Sequence, residues 1–333
     1  MHVLLRPVGS SVYCDEVVNR SLTVAGLFAG VGGIELGFKQ AGFTPVFANE
    51  IDKHASITYR ANHSHALAEG DIGELPSEEL PKDLTVLAGG FPCQPFSVAG
   101  YRKGFEDDRG NVFRDIVRLT QDRQPEVIFL ENVKNLKGHD SGNTFRVINE
   151  SLEASGYSVA AKVLNASEYG NIPQNRERIY IIGFKNPDAN ARFRWPEPIP
   201  LTTKLSDLID FGRKVDSKYY YTDERPFWDM LASGVTKTNT MYQWRRQYVR
   251  ENKSGVCPTL TANMGMGGHN VPLIKTRYGI RKLTPRECFN LMGFDPDFRL
   301  PNELAVSQLY KQAGNSVVVP VVKRIATQVL EAI

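Results

Sequence analysis

Hydrophobic and polar positions along this chain fall into two regimes. From Leu22 onward a short apolar run, a glycine turn and a helical stretch follow one another, and the sequence then repeats that order with variations. Residues 22–28 read as a buried strand, Ala29-Gly30-Val31-Gly32-Gly33 as a turn, and 34–41 as a helix closed by Gly42. A second strand over 44–49 ends in Glu50, with Asp52 placed to cap the next helix. A third strand ends near Gly70-Asp71, and 85–88, 127–130 and 178–184 are further apolar runs. Strands alternating with helices predict an α/β fold, a doubly wound Rossmann-like parallel sheet covered on both faces. Sheets of that kind hold ligands beyond the carboxyl ends of their strands.

The style changes at 193–200, where three prolines in five positions mark a linker. The stretch to about Lys282 is irregular, with Tyr219, Tyr220, Tyr221, Trp228 and Trp244 set among Lys and Arg. Helical periodicity returns after Leu283, and 309–333 reads as a final helix interrupted near Gly314 and Pro320. The division expected is an extension of unknown role (1–20), a catalytic domain in two pieces (21–191 and 283–333) and a smaller, irregular domain between them (192–282).

Net charge is only +3, but its distribution is uneven. Residues 192–282 carry 16 Lys and Arg against 8 Asp and Glu, and the remainder 24 against 29. A basic module joined to a mildly acidic one suggests that one part holds a polyanion while the other does chemistry, although a basic solvated face is the plainer alternative. No apolar run approaches a membrane span, and 1–20 has no apolar core ending in a cleavage site, so no membrane, no export and a cytoplasmic setting are expected. The four cysteines, Cys14, Cys93, Cys257 and Cys288, form no Cys-x-x-Cys pair, and the six histidines have no ligand spacing, so no metal is expected.

The glycine turn alone is a weak nucleotide signal. Glu50, at the next strand end, suits a ribose diol, because a carboxylate accepts from both hydroxyls, though an exposed strand-end Glu is an equal alternative. Asp71-Ile72 adds a carboxylate and an apolar contact where an adenine would sit. Together these strand ends point to a bound nucleoside.

Gly89-Gly90-Phe91-Pro92-Cys93-Gln94-Pro95-Phe96-Ser97 is the most specific segment. A cysteine braced by prolines outside regular structure is poorly used as a core residue and well used as a nucleophile. Glu131, in Phe129-Leu-Glu-Asn132-Val133, ends another strand, where desolvation makes a carboxyl a general acid. In Gln174-Asn-Arg176-Glu-Arg178 the alternation places Arg176 and Arg178 on one face. They can grip a base carbonyl, a phosphate or a carboxylate, or form a structural network with Glu177 or Glu131.

Phe-x-Gly-x-Gly-Gly, Pro-Cys-Gln, Glu-Asn-Val and Gln-x-Arg-x-Arg, in this order, resemble the motif set of DNA (cytosine-5) methyltransferases of bacterial restriction–modification type. The stretch from Arg281 to Phe294 and the block Gln312-Ala-Gly-Asn315-Ser316-Val317 extend the likeness, which covers about 22–190 and 281–331. The resemblance implies a cytosine flipped out of double-stranded DNA, Cys93 adding to carbon 6, Glu131 holding N3 and the amine, Arg178 on O2 and Arg176 ordering the pocket. It implies S-adenosylmethionine, released as S-adenosylhomocysteine. The cofactor pocket would be lined by Phe28, Ala29, Gly30, Gly32 and Gly33, by Glu50, Ile51, Asp71 and Ile72, by Gly90 and Pro92, and by Asn315, Ser316 and Val317 folding back. Gln94, Ser97, Arg102 and Lys103 would meet DNA from a closing loop, Asn132 and Gln174 would support the site or touch DNA, and Arg245, Arg246, Arg250 and Thr259 would belong to target recognition in 192–282. A monomer is expected, with a cognate restriction endonuclease acting on the same site without stable complex.

There are departures from the family pattern. Many members carry an acidic residue where this chain has Gly26, so one contact to the methionine part is missing or supplied by backbone. Ile51 stands where an aromatic is usual. Rival readings are a transfer-RNA methyltransferase on the same fold, whose eukaryotic Cys-Phe-Thr block is absent, a catalytically dead DNA-binding module, which the presence of Cys93, Glu131 and Arg178 opposes, and, more distantly, a nicotinamide dehydrogenase.

Overall fold

The computed structural model describes residues 21–92, 112–245, 247–264 and 271–333. Seven strands form one sheet in the order β3-β2-β1-β4-β5-β8-β6. They are β1 (Thr23–Leu27), β2 (Thr44–Glu50), β3 (Ala66–Glu69), β4 (Val86–Gly90), β5 (Val127–Val133), β6 (Ser158–Asn165) and β8 (Glu177–Phe184). The five from β3 to β5 are parallel, and β8 runs antiparallel between β5 and β6. The sequence predicts a parallel sheet, and β8 is the strand that departs from it. Only 11 residues separate β6 from β8, too few for the crossover that a parallel neighbour needs. Edge strand β6 is apolar on both faces but mostly half-exposed, so it shows no alternation of its own.

Alternate residues of the central strands feed two cores. Val24, Val86, Val127 and Phe129 pack with helices α1 (Gly33–Gln40) and α7 (Val319–Ala332). Ala25, Leu27, Leu87 and Ile128 pack on the other face with α3 (Val112–Arg123) and α4 (Asn143–Ala154). Helix α2 (Lys53–Asn62) is capped by Asp52, whose carboxylate accepts from His54 and Ala55. The final helical stretch is broken where the sequence places the break, into α6 (Val306–Asn315) and α7. Strand order reverses between β2-β1 and β4-β5, so the crevice of a doubly wound sheet opens beyond the ends of β1 and β4.

The basic stretch is more regular than its sequence suggests. Strands β9 (Met241–Arg245), β10 (Tyr248–Asn252), β12 (Leu273–Thr276) and β13 (Gly279–Lys282) form a small antiparallel sheet in the order β10-β9-β12-β13. Its core is Leu231, Val235, Tyr242, Leu273 and Ile280. A short parallel bridge of β11 (Cys257–Pro258) on β7 (Gln174–Asn175) ties this stretch to the main sheet's loops. At its far end the fully buried Arg281 meets Glu287 in two bonds of 2.7 and 2.8 Å. Glu287 also completes the capping box of α5 (Pro285–Asn290) with Thr284. Among the described residues no helix is long and apolar enough to cross a membrane.

Candidate active site and nucleoside pocket

The turn after β1 is built on left-handed backbone: Phe28, Gly30 and Gly32 have φ of 53°, 58° and 86°. For Phe28 this is a strained conformation, of the kind that collects at ligand sites. A side chain on Gly30 would meet nothing within 4 Å, so the backbone there faces open space. Glu50 closes this concavity from β2. Its two oxygens accept from the amides of Gly30 (2.6 Å) and Asp52 (2.7 Å), which fixes the carboxylate and leaves lone pairs for further donors. Ile51 beside it is 62% exposed, an apolar platform at the mouth.

Asp71 caps a single 3-10 turn, with one oxygen accepting from Gly73 at 2.8 Å, and its side chain is exposed. Ile72 departs from expectation. Its side chain is 3% exposed and packs with Leu75, Leu80 and Leu84, so only its backbone is left to line a pocket. Asn49 was not singled out from sequence, although a buried amide at a strand end is the signal that would have found it. Its amide donates to the carbonyls of Ala68 and Gly70, both at 3.1 Å, and so sets the spacing between Glu50 and Asp71.

The last block does fold back here. A Cβ on Gly33 would lie 2.7 Å from Ser316 Oγ and 3.0 Å from Val317, so Ser316 and Val317 lie against the start of α1, next to exposed Asn315. Gln312 joins α6 to α2, accepting from Thr58 at 2.9 Å and donating to the His54 carbonyl at 2.9 Å.

Gly26, the departure noted in the sequence, has a physical counterpart. A Cβ at that position would overlap the carboxyl of Glu35, which reaches across from α1 and is fully buried. One Glu35 oxygen faces the Tyr59 hydroxyl at 3.4 Å, and the other has no hydrogen-bond partner among the described residues. Burial pushes the Glu35 carboxyl up to about 8, and the nearby Glu50 adds to the rise. A carboxyl raised in this way holds its proton in the folded chain across the pH range where the unfolded chain has lost it. Stability therefore falls as pH rises from the ordinary carboxylate range through about 8. Glu35→Gln is expected to exceed the unmodified protein by about 2–4 kcal/mol at pH 8.5 and to match it near pH 4, read from urea midpoints at each pH.

The second cluster lies beyond β4 and β5. Gly90 and Glu131 are register partners, and a side chain on Gly90 would crowd Glu131 Oε2 at 3.3 Å. Glu131 is 8% exposed and ion-paired through Oε1 to Arg178 Nε at 3.0 Å. Burial raises its carboxyl, while Arg178 and, less directly, Arg176 pull it back down. Asn132 donates to the carbonyl of Phe91 at 3.0 Å and accepts from Val133 at 2.8 Å. It thereby holds the chain that continues through exposed Pro92. Cys93, Gln94, Ser97, Arg102, Lys103 and Arg246 lie outside the described residues.

Arg176 and Arg178 are not equivalent, because Arg176 falls in the gap between β7 and β8. Its guanidinium, 3% exposed, donates to the carbonyls of Leu260 (2.7 Å), Gly314 (3.1 Å) and Ser316 (2.6 Å). It ties its own segment to those of Leu260 and of Gly314–Ser316, while among the described residues Arg178 is the ion-pair partner of Glu131. Gln174 is likewise interior. Its amide accepts from Leu260 N at 3.1 Å and donates to Leu291 O at 2.7 Å. Both Asn132 and Gln174, candidates for DNA contact or site support from sequence, have their side-chain amides bonded to backbone partners. The Thr259 hydroxyl donates to the Asn175 carbonyl at 2.6 Å.

Toward its tip the β9–β10 hairpin alternates, although Met241 and Tyr242 at its base are both buried. Trp244 and Val249 turn inward, Trp244 stacking on Phe227 with centroids 3.9 Å apart. Arg245, Tyr248 and Arg250 are exposed, and Arg245 donates to Gln243 at 2.9 Å. Cys257 and Cys288 are fully buried, with thiols pushed up by desolvation, so neither is poised to act as a nucleophile.

Comparison with known proteins gives a match of residues 22–331 to the family model of C-5 cytosine-specific DNA methylases. The Type II methyltransferase M.Bsp6I of Bacillus sp. (strain RFL6) is 58% identical over 314 residues, 93% of this chain and 99% of its own. The Type II methyltransferase M.HhaI of Haemophilus parahaemolyticus is 38% identical over 329 residues, 93% and 96% of the two chains. Among solved structures, the S. pombe Dnmt2 methyltransferase aligns with a TM-score of 0.71 at 21% identity, over 93% of this chain and 98% of that one, a likeness of fold.

Proposed function

The chain belongs to the C-5 cytosine-specific DNA methylases, and from that premise we propose how its own residues carry out the transfer. It is a DNA (cytosine-5) methyltransferase of the Type II, restriction–modification kind, in a family that uses S-adenosylmethionine. The residues present fit that cofactor. Gly30 faces open space, Glu50 is fixed to receive ribose hydroxyls, exposed Ile51 offers an apolar face to the adenine, and Asp71 keeps one oxygen clear of its capping bond. When bound there, S-adenosylmethionine supplies the methyl group as an electrophile.

The target cytosine leaves the duplex to reach this site. The Cys93 thiolate forms a bond to carbon 6, and the electrons displaced from the 5,6 double bond make carbon 5 nucleophilic. Glu131, raised by burial, holds a proton against N3 and accepts from the exocyclic amine, while Arg178 steadies Glu131 and contacts O2. After carbon 5 is methylated, a base or water removes its proton, the sulfur–carbon bond breaks and the thiolate returns. Residues 192–282 serve target recognition, with Arg245 and Arg250 on the exposed face of the hairpin meeting DNA. The protein works as a cytoplasmic monomer, beside an endonuclease that reads the same site.

The observation that carries this reading is the buried Glu131–Arg178 pair, one strand from the end of β4, where Asn132 holds the Phe91 carbonyl two residues before Cys93. Bisulfite sequencing of host DNA after expression tests it. One methylated cytosine in a fixed sequence context is expected, and unmodified cytosines throughout would overturn it. Glu131→Gln is expected to fold normally and lose about 10²-fold in single-turnover methylation, with cofactor affinity within a few-fold, because N3 then lacks its acid.

A further inference from the structure

Beside Gly26 of β1, the strand that leads into the glycine turn, α1 buries a charge-bearing group that the mechanism does not use. Glu35 lies in the space a side chain at Gly26 would fill, with one oxygen lacking any hydrogen-bond partner among the described residues. Buried polar atoms left without a partner are rare, and a carboxyl is among the costliest to leave so. Among the described residues, the groups that set its charge include no compensating cation. From α2 it meets the Tyr59 hydroxyl, and behind that lies His65, bonded to the same hydroxyl. His63, which contacts the Val31 carbonyl, is held neutral by burial, at about 4. The backbone N–H of Glu35 itself eases its charge a little, Glu50 on β2 repels it, and Lys39 on α1 disfavours charge on His63 and His65. Strands β1 and β4 carry no titratable residue. Tyr59, which Glu35 meets, packs in one buried cluster with Ala29 of the glycine turn, where the proposed cofactor pocket lies.

We propose that Glu35 supplies, from helix α1, the negative counter-charge for the cationic methionine end of S-adenosylmethionine, in place of the acidic strand residue that Gly26 lacks. The inference rests on the reading of this turn as the cofactor pocket. The interaction acts through fully buried, low-dielectric surroundings, where a single charge pair weighs more than in water. Its partner arrives with the ligand, so the carboxyl gives up a proton when the cation binds, which its position near 8 in the empty protein makes easy at neutral pH.

The test is calorimetric titration of the full chain with S-adenosylmethionine and with 5′-methylthioadenosine, which keeps the nucleoside and sulfur but carries no charge. Glu35→Gln is expected to weaken S-adenosylmethionine binding by about tenfold and to leave 5′-methylthioadenosine within twofold. Proton release on S-adenosylmethionine binding at pH 7, measured in two buffers of different ionisation enthalpy, should fall by most of one proton in the variant. The double variant Gly26→Asp/Glu35→Ala, which returns the carboxyl to the strand, should recover the preference for the charged ligand. Equal weakening of both ligands, or unchanged binding of both, would overturn the proposal, as would a folded double variant without recovery. Failure of the unmodified protein to bind either ligand would instead sink the cofactor pocket itself.

Discussion

Cys93→Ser is expected to fold normally, to bind S-adenosylmethionine within a few-fold of the unmodified protein, and to lose about 10⁴-fold or more in methylation rate. Attack on carbon 6 needs an anionic nucleophile at neutral pH. A thiol ionises near pH 8.5, and a local positive field brings that lower. A serine hydroxyl has no comparable anionic population without a dedicated base. Neither cysteine among the described residues can take over, since Cys257 and Cys288 are fully buried with their thiols pushed up. Two measurements check this. Single-turnover transfer to DNA gives the rate, and denaturing electrophoresis with DNA containing 5-fluorocytosine reports the covalent adduct, because fluorine at carbon 5 blocks the final elimination. The unmodified protein should show a retarded band and the variant none. Near-normal turnover by Cys93→Ser would remove the nucleophile from the mechanism.

The second large effect falls on stability. Arg176→Ala is expected to cost about 3–6 kcal/mol, because it strips donors from the buried carbonyls of Leu260, Gly314 and Ser316 together. Urea unfolding measures it. Arg176→Lys should recover only part, since an ammonium cannot reproduce the planar fork that reaches three acceptors at once. Cofactor affinity should fall with stability, because Ser316 and Val317 sit against Gly33. Arg178→Ala makes the contrast. It removes the partner of Glu131 and should lower activity far more than it lowers the unfolding midpoint. Equal stability losses for the two arginines would contradict the division of labour between them.

The difference between these arginines marks the limit of what the sequence reveals. The glycine turn, Glu50, Asp71 and the Glu131-Asn132 strand end were legible because each is a local signal, an apolar run meeting a polar turn. Alternation alone put Arg176 and Arg178 on one face, but alternation holds only inside a strand, and Arg176 precedes β8. Its partners are 84 to 140 residues away, and no spacing rule reaches that far. The same holds for Gln174, whose amide is claimed by Leu260 and Leu291, and for Glu35, whose meaning appears only once β1 and α1 are packed together. The antiparallel β8 and the small sheet β10-β9-β12-β13 escaped for another reason. Short strands of mixed polarity carry little periodic signal until their neighbours are known.

Helix α7 covers α1 and the core face made by Val24, Ile34, Phe38 and Phe129, yet its 14 residues follow the whole 192–282 stretch in the chain. A polypeptide emerging from the ribosome must therefore carry that oily surface bare while some 280 further residues, counted from α1 to α7, are made. Synthesis halted before Val319 would leave a sheet lacking one of its covers, a natural client for holdase chaperones. Yield in cells should thus depend more on full-length translation than on the strength of any single contact in the first half.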